Sequence, residues 1–97
     1  MRIGIVGGVQ RSEGAYRRRA EGLGHELRFH SGDVGGRGSA RLDALIRGVE
    51  LVIVLTDVNS HGAVRLARGA ARARGVPVAL HRRCSPQRFA SIVAQLA

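Results

Sequence analysis

Four short apolar runs alternate with four helical patterns along this chain, and this alternation limits the possible folds more than any other feature of the sequence. A strand-helix-strand rhythm is typical of a parallel sheet that is covered by helices on both faces. The sequence therefore predicts one α/β domain over residues 1–97 with a four-stranded parallel sheet. The predicted strands are Arg2 to Val6, Glu26 to His30, Leu51 to Thr56 and Val76 to His81.

The third apolar run, Leu51 to Leu55, indicates where the sheet has its centre. It is continuously apolar and β-branched in the middle, as expected for a strand that is buried on both faces. Right-handed crossovers then favour the strand order 2-1-3-4, as in flavodoxin-like sheets. Ligands of open α/β sheets bind where the order reverses, which is here between strands one and three.

The four helices are predicted from apolar spacing and from residues that begin and end helices. They run from about Ser12 to Leu23, from near Ser39, from a cap at Ser60 to Arg74, and from a cap at Ser85 followed by Pro86. The predicted buried faces are Tyr16, Ala20 and Leu23; Leu42, Leu45 and Ile46; Ala63, Val64, Ala67, Ala70 and Ala71; and Phe89, Ile92, Val93 and Leu96.

The charge is strongly positive, with 16 basic residues against 7 acidic ones, and all the basic residues are arginine. Such a balance favours an anionic partner. The absence of lysine together with abundant alanine and glycine points instead to a GC-rich genome as the source of many arginines. The three aromatic residues, Tyr16, Phe29 and Phe89, form no run on which bases would stack. Nucleic acid is therefore not the predicted partner.

The first residues bear on location. The chain passes from Met1 directly into the first strand without the apolar stretch of a secretory signal, and no segment reaches the roughly 20 apolar residues that span a bilayer. We therefore expect a soluble cytoplasmic protein that does not bind membranes. Cys84 is the one cysteine, so no internal disulfide is expected and the thiol is expected to be reduced.

A glycine turn follows the first strand and leads into a helix. Gly7 and Gly8 let backbone N–H groups approach a ligand closely, and the helix start near Arg11 and Ser12 adds donors that favour an anion. The segment matches neither the dinucleotide-binding glycine pattern nor the phosphate-binding loop of nucleotide hydrolases. It is a candidate anion site, with a tight structural turn as the alternative.

The segment after the third strand, Thr56 to His61, has the densest group of polar residues. Asp57 is predicted near the order reversal, and the dipole of the following helix favours a neutral His61. A neutral imidazole acts as a base, a hydrogen-bonding partner or a metal ligand. Alternatively, Asp57 and Ser60 only cap the helix.

Two further segments end at the same edge of the predicted sheet. His30 ends strand two, ahead of the glycine-rich stretch from Ser31 to Gly38, which is either a loop that wraps an anion or a connector. Arg82 and Arg83 follow strand four. We expect these side chains to converge with the glycine turn and Asp57 on one crevice.

These segments resemble a bacterial family catalogued as domain of unknown function 2325. The likeness covers nearly the whole chain through Ile5 to Gly8, His30 to Gly32, Leu55 to His61 and the pair Arg82 and Arg83, and the Thr-Asp-x-x-Ser-His element is its most specific part. Asp33 and Cys84 depart from the glycine and the small residue expected there. The resemblance implies a flavodoxin-like or Rossmann-like domain with one polar site and no particular activity.

Three functions fit these residues. The leading hypothesis is a binding domain for an anionic or phosphorylated small molecule, held by Gly7, Gly8, Arg11, Ser12, His30, Thr56, Ser60, Arg82 and Arg83. The second is a metal or haem protein with His61 as a ligand, and the third is an enzyme that uses Asp57 and His61 as an acid-base pair. No particular cofactor follows from the residues. The exposed fourth strand favours a homodimer, through edge pairing or helix packing.

Overall fold

The structure, a computed structural model, describes residues 1–57 and 59–96, with the side chain of Leu96 excepted. Four strands form one sheet: β1 (Arg2–Val6), β2 (Glu26–His30), β3 (Leu51–Leu55) and β4 (Val78–His81). The helices are α1 (Glu13–Gly22), which follows a 3₁₀ turn at Gln10–Ser12, then α2 (Gly38–Arg47), α3 (His61–Arg74) and α4 (Pro86–Leu96).

The sheet is parallel throughout, and its order is β2-β1-β3-β4, which confirms the predicted order. Val6 pairs with His30 on one side and with Val54 on the other, and Leu55 pairs with His81. The carboxyl ends of all four strands therefore lie at one edge, which brings the four polar segments of the sequence to the same end of the molecule.

Two cores lie on opposite faces of the sheet. Helices α1 and α4 cover one face, and helices α2 and α3 cover the other. β3 contributes Ile53 to the first core and Val52 and Val54 to the second, and all three side chains are buried. The prediction that β3 is a central strand is confirmed.

Small residues allow helices α2 and α3 to pack close to the face of the sheet that they cover. Ala63, Ala67 and Ala71 of α3 are completely buried against it. Gly4 of β1 makes room for α2, since a β-carbon at Gly4 would lie 2.6 Å from Cδ2 of Leu45. Because packed interiors leave no free volume for an added methyl group, this face tolerates little enlargement.

The caps were predicted correctly. Ser60 Oγ accepts a hydrogen bond from the Ala63 N–H at 3.0 Å, and Ser85 Oγ accepts one from the Arg88 N–H at 3.1 Å. Each serine thereby satisfies a first-turn donor that has no acceptor within its helix.

Three predicted details were wrong. Leu23 was placed on the buried face of the first helix, but α1 ends at Gly22 and Leu23 is 44 % exposed. β4 begins at Val78 because the Val76 N–H donates to the Ala71 carbonyl at the end of α3 instead of entering the sheet. β3 ends at Leu55, one residue before the predicted end. Within the described residues, no helix has the length and apolar character needed to cross a membrane.

Candidate functional site

The crevice between the ends of β1 and β3 contains the side chain of Asn59. Its Nδ2 donates to the carbonyl oxygen of Leu55 at 2.7 Å and to that of Val6 at 3.3 Å, while its Oδ1 accepts from the Ser60 N–H at 2.9 Å. Open α/β sheets usually bind ligands at this position. Here a protein side chain occupies it, and Asn59 was not among the predicted site residues. Asparagine's tendency to bond nearby backbone is the signal that was available.

Two glycines make room for Asn59. Gly7 has φ +100°, and a β-carbon there would lie 2.6 Å from both Asn59 Nδ2 and the Leu55 carbonyl oxygen. Gly32 also has φ +100°, and its β-carbon would overlap Asn59 Oδ1. The Gly7 N–H donates to the His30 carbonyl at 2.7 Å. Gly7 therefore serves the packing of this edge, and its amide is not available to a ligand.

His30 and Ser60 bind backbone groups around the glycine-rich segment. The Gly32 N–H donates to His30 Nδ1 at 3.0 Å, so Nε2 carries the ring proton and donates to the Gly38 carbonyl at 2.9 Å. Ser60 Oγ, in addition to capping α3, donates to the Gly32 carbonyl at 2.7 Å. Both side chains hold residues 32–38 against the sheet. These hydrogen bonds explain the presence of His30 and Ser60 at this edge without a bound ligand.

A cleft of about 410 Å³ opens beside the filled crevice, on the face covered by α1 and α4. Tyr16 of α1 lies at its base. Its walls are Gly8, Val9 and Ser12 after β1, Leu55 and Asp57 at the end of β3, and Arg82, Arg83, Cys84, Ser85 and Pro86 after β4. We call this the α1–α4 cleft. It brings together five of the predicted site residues: Gly8, Ser12, Asp57, Arg82 and Arg83.

Backbone hydrogen bonds between the β3 and β4 segments continue past the ends of both strands, and they position the charged side chains of the α1–α4 cleft. The Thr56 N–H donates to the His81 carbonyl and the Asp57 N–H donates to the Arg82 carbonyl, each at 2.8 Å. This places Asp57 beside the start of the β4–α4 loop, where its Oδ2 lies 3.1 Å from Arg83 Nε. Arg82 forms no ion pair within residues 1–57 and 59–96. The two guanidinium groups exceed the single carboxylate, so the cleft is net positive.

Tyr16 and Cys84 join α1 to the β4–α4 loop below these charges. The Tyr16 hydroxyl donates to the Cys84 carbonyl oxygen, and both side chains are buried. Burial raises the pKa of the Cys84 thiol, an effect that the Arg88 charge partly offsets, and burial together with the Cys84 charge raises the pKa of Tyr16. Cys84 is therefore not an activated thiolate at neutral pH.

The other predicted site residues do not line this cleft. His30 lines a separate cleft of about 730 Å³ beside β2, with Arg28 and Arg37. Arg11, Thr56 and His61 are exposed. Asp57 and His61 share no hydrogen bond in the part of the chain that the structure describes, and no group of three His, Cys, Asp or Glu side chains there is placed to hold a metal ion.

A family model described as "Uncharacterized protein conserved in bacteria (DUF2325)" matches residues 2–96. The chain belongs to this family. No curated protein and no solved structure matches the chain significantly.

The structure shows how the segments that resemble this family are related in space. Ile5 to Gly8, His30 to Gly32, Leu55 to His61 and the pair Arg82 and Arg83 come from four different strand ends. Asn59 and Ser60 join the first three through the hydrogen bonds described above, and Asp57 joins the third to the fourth through Arg83. The family's segments therefore form one connected edge of the sheet.

Proposed function

We propose that this protein binds a small anionic molecule, such as a phosphate ester or a carboxylate, in the α1–α4 cleft. The observation that carries the proposal is the position of Arg82 and Arg83 on one cleft with the glycine turn and the start of α4. A volume of about 410 Å³ lies within the usual range for small-molecule sites.

Arg82 is the cation assigned to the ligand. Because Asp57 already neutralises much of the Arg83 charge, Arg82 is the cleft's guanidinium with no carboxylate beside it among the described residues. A guanidinium offers two parallel N–H donors to a phosphate or carboxylate. In this arrangement Asp57 orients Arg83, and Arg83 contributes a longer-range attraction.

The N-terminus of α4 also favours an anion in the α1–α4 cleft. Ser85 and Pro86 line the cleft, and α4 points its N-terminus at it. The partial positive charge of a helix N-terminus stabilises an anion by about 0.3–1 kcal/mol at an exposed site. Gly8 allows the ligand to approach the backbone on the opposite wall.

The remaining walls favour an organic anion over a bare inorganic ion. Val9 lines the cleft and is 42 % exposed, so it offers apolar surface to a ligand, whereas Leu55 and Tyr16 also line the cleft but are almost completely buried. An apolar or aromatic group on the ligand would cover this surface and gain about 25 cal/mol for each Å² removed from water. The preferred ligand therefore combines an anionic head with an apolar body.

The proposal is tested by titrating the protein with inorganic phosphate and with phenyl phosphate while recording backbone amide shifts. We expect shifts at Gly8 and Ser85, and tighter binding of phenyl phosphate. Arg82→Gln should lower the affinity for both ligands by about tenfold, as expected for the loss of a hydrogen bond to a charged group. Arg19→Gln, an exposed arginine of α1 outside the cleft, is the matched control. Equal binding by the two variants, or shifts confined to other surfaces, would overturn the proposal.

A further inference from the structure

The outer edge of β4 has unpaired backbone groups. Val52 and Thr56 donate to the carbonyls of Pro77 and His81, so these β4 residues point toward β3. Because successive residues of a strand point their N–H and C=O groups to opposite sides, those of Val78 and Leu80 point away from the sheet. Among the described residues β4 is an edge strand that pairs with β3 alone, so the N–H groups of Val78 and Leu80 have no strand partner on their side.

The two edges of the sheet differ in their protection. At β2, Arg17 Nη1 donates to the outward carbonyl of Leu27 at 2.9 Å while Nη2 pairs with Glu13 at 2.7 Å, so a tethered guanidinium occupies that edge. β4 has the sequence Val-Ala-Leu-His, with no charged residue that would block pairing, and Leu80 is 45 % exposed. Proteins normally protect edge strands of this kind. The open β4 edge is therefore suited to pairing with another strand.

A positively charged groove runs along the same edge. It has a volume of about 290 Å³ and is lined by Arg68 and Arg72 of α3 together with Val76, Val78 and Leu80. Neither arginine pairs with a carboxylate among residues 1–57 and 59–96, whereas Arg74 of the same helix lies 3.6 Å from Asp43. The groove thus combines an open strand edge, exposed apolar surface and two unneutralised charges.

We propose that the outer edge of β4 binds an extended acidic segment of another protein by strand addition. The backbone of that segment pairs with Val78 and Leu80. Its alternate side chains that point to the α3 face are carboxylates, which pair with Arg68 and Arg72. This surface is separate from the α1–α4 cleft, so the proposal does not depend on the proposed ligand.

Charge argues for an acidic segment over a second copy of this chain. Two β4 strands paired antiparallel about a two-fold axis perpendicular to the sheet would place both α3 helices on the same face. Arg68 and Arg72 of each copy would then face those of the other copy with no carboxylate lining the groove. Like charges placed opposite each other destabilise a pairing. An acidic partner supplies the charges that are missing.

Three eight-residue peptides test the proposal with the full chain. One alternates Glu and Val, the second alternates Lys and Val, and the third is the first with proline at one central Glu and at the Val beside it, so that an N–H group facing β4 is lost in either strand direction. We expect only the first peptide to shift the amide resonances of Val78 and Leu80 and to slow their hydrogen exchange.

Matched double variants identify the charges involved. The double variant Arg68→Gln with Arg72→Gln should lower the affinity for the Glu-Val peptide by about tenfold, as expected for the loss of two exposed ion pairs. Arg18→Gln with Arg19→Gln removes the same charge from the exposed surface of α1 and should leave binding unchanged. Thermal unfolding of both variants shows whether either has lost its fold; the comparison of the three peptides on the unaltered chain does not depend on this.

Three outcomes would overturn the proposal. The first is equal binding of the Glu-Val and Lys-Val peptides, and the second is equal weakening by the two double variants. The third is protection of the Val78 and Leu80 amides without peptide that rises with protein concentration, accompanied by a dimer in sedimentation. That result would identify a second copy of the chain as the occupant of the β4 edge.

Discussion

The side-chain amide of Asn59 donates to the carbonyl oxygen of Leu55, the last residue of the central strand, at 2.7 Å. The same amide reaches the Val6 carbonyl, and Gly7 and Gly32 pack against it without β-carbons. Asn59 thus connects the ends of β1 and β3 with the start of the glycine-rich segment. The crevice where open α/β sheets usually bind a ligand is thus filled here by a side chain of the protein itself.

Replacing Asn59 should destabilise the domain. Asn59→Ala leaves the Leu55 and Val6 carbonyls without their donor, so we expect the free energy of unfolding to fall by roughly 1–3 kcal/mol. Asn59→Asp should lower the free energy of unfolding further, because a carboxylate would face two carbonyl oxygens without a proton to donate. Thr56→Ala, a change at an exposed neighbour, is the control. Chemical denaturation of the three variants provides the comparison, and an Asn59→Asp variant as stable as the native chain would refute the assigned role.

His30 should prove structural. Because its ring accepts from the Gly32 N–H and donates to the Gly38 carbonyl, His30→Ala removes two hydrogen bonds of the glycine-rich segment. We expect faster hydrogen exchange at Gly32 and a loss of roughly 1–2 kcal/mol in the free energy of unfolding. Phenyl phosphate affinity should stay the same, since His30 lies outside the α1–α4 cleft. A large loss of affinity with unchanged exchange at Gly32 would instead support the direct ligand contact predicted from the sequence.

Stability should decline in alkaline solution. The pKa values of Cys84 and Tyr16 are raised in the folded protein above their ordinary values of 9.0 and 10.0. Both groups therefore hold their protons more tightly when folded, and their contribution is fully present below pH 9.0 and is lost as the pH rises through the folded pKa values. Denaturation curves between pH 7 and pH 11 should show this decline.

Cys84→Ala isolates the thiol's share of that decline. The variant should lose the part that begins near pH 9.0 and keep the part of the Tyr16 contribution that comes from burial, because the Cys84 charge then no longer raises the Tyr16 pKa. Because the change also alters packing around residue 84, the quantity to compare is the slope of the free energy of unfolding with pH and not its absolute value. Identical slopes for the native chain and the variant would show that the Cys84 pKa is not raised.

His61 separates the proposed function from its two alternatives. The side chain is exposed at the start of α3, and Ser60 still caps the helix when His61 is changed. For His61→Ala we expect a stability change within about 0.5 kcal/mol and unchanged affinity for phenyl phosphate. The metal or haem hypothesis and the acid-base hypothesis remain predictions. Zinc or haem binding by the native chain that disappears in His61→Ala would favour the former over an anion site.

Much of the secondary structure could be predicted because its causes are local. The period of the apolar residues identifies strands and helices, and Ser60 and Ser85 cap helices through bonds to residues three positions away. The apolar pattern was misleading at Leu23 and Val76, because apolar residues there lie outside the helix and the strand. α1 ends at Gly22, and the Val76 N–H donates to the Ala71 carbonyl instead of entering the sheet.

The sequence by itself determined the class of fold, the strand order and the edge of the sheet where the polar segments lie. These follow from alternation, from the buried Leu51–Leu55 strand and from the right-handedness of crossovers. Tertiary structure decided which polar residues meet. Asn59 fills the crevice predicted for a ligand, His30 turns to backbone groups, and Asp57 faces Arg83, 26 residues away, instead of His61. Such contacts join groups that are distant along the chain, so they depend on how several loops close together and not on the spacing of residues in any one segment.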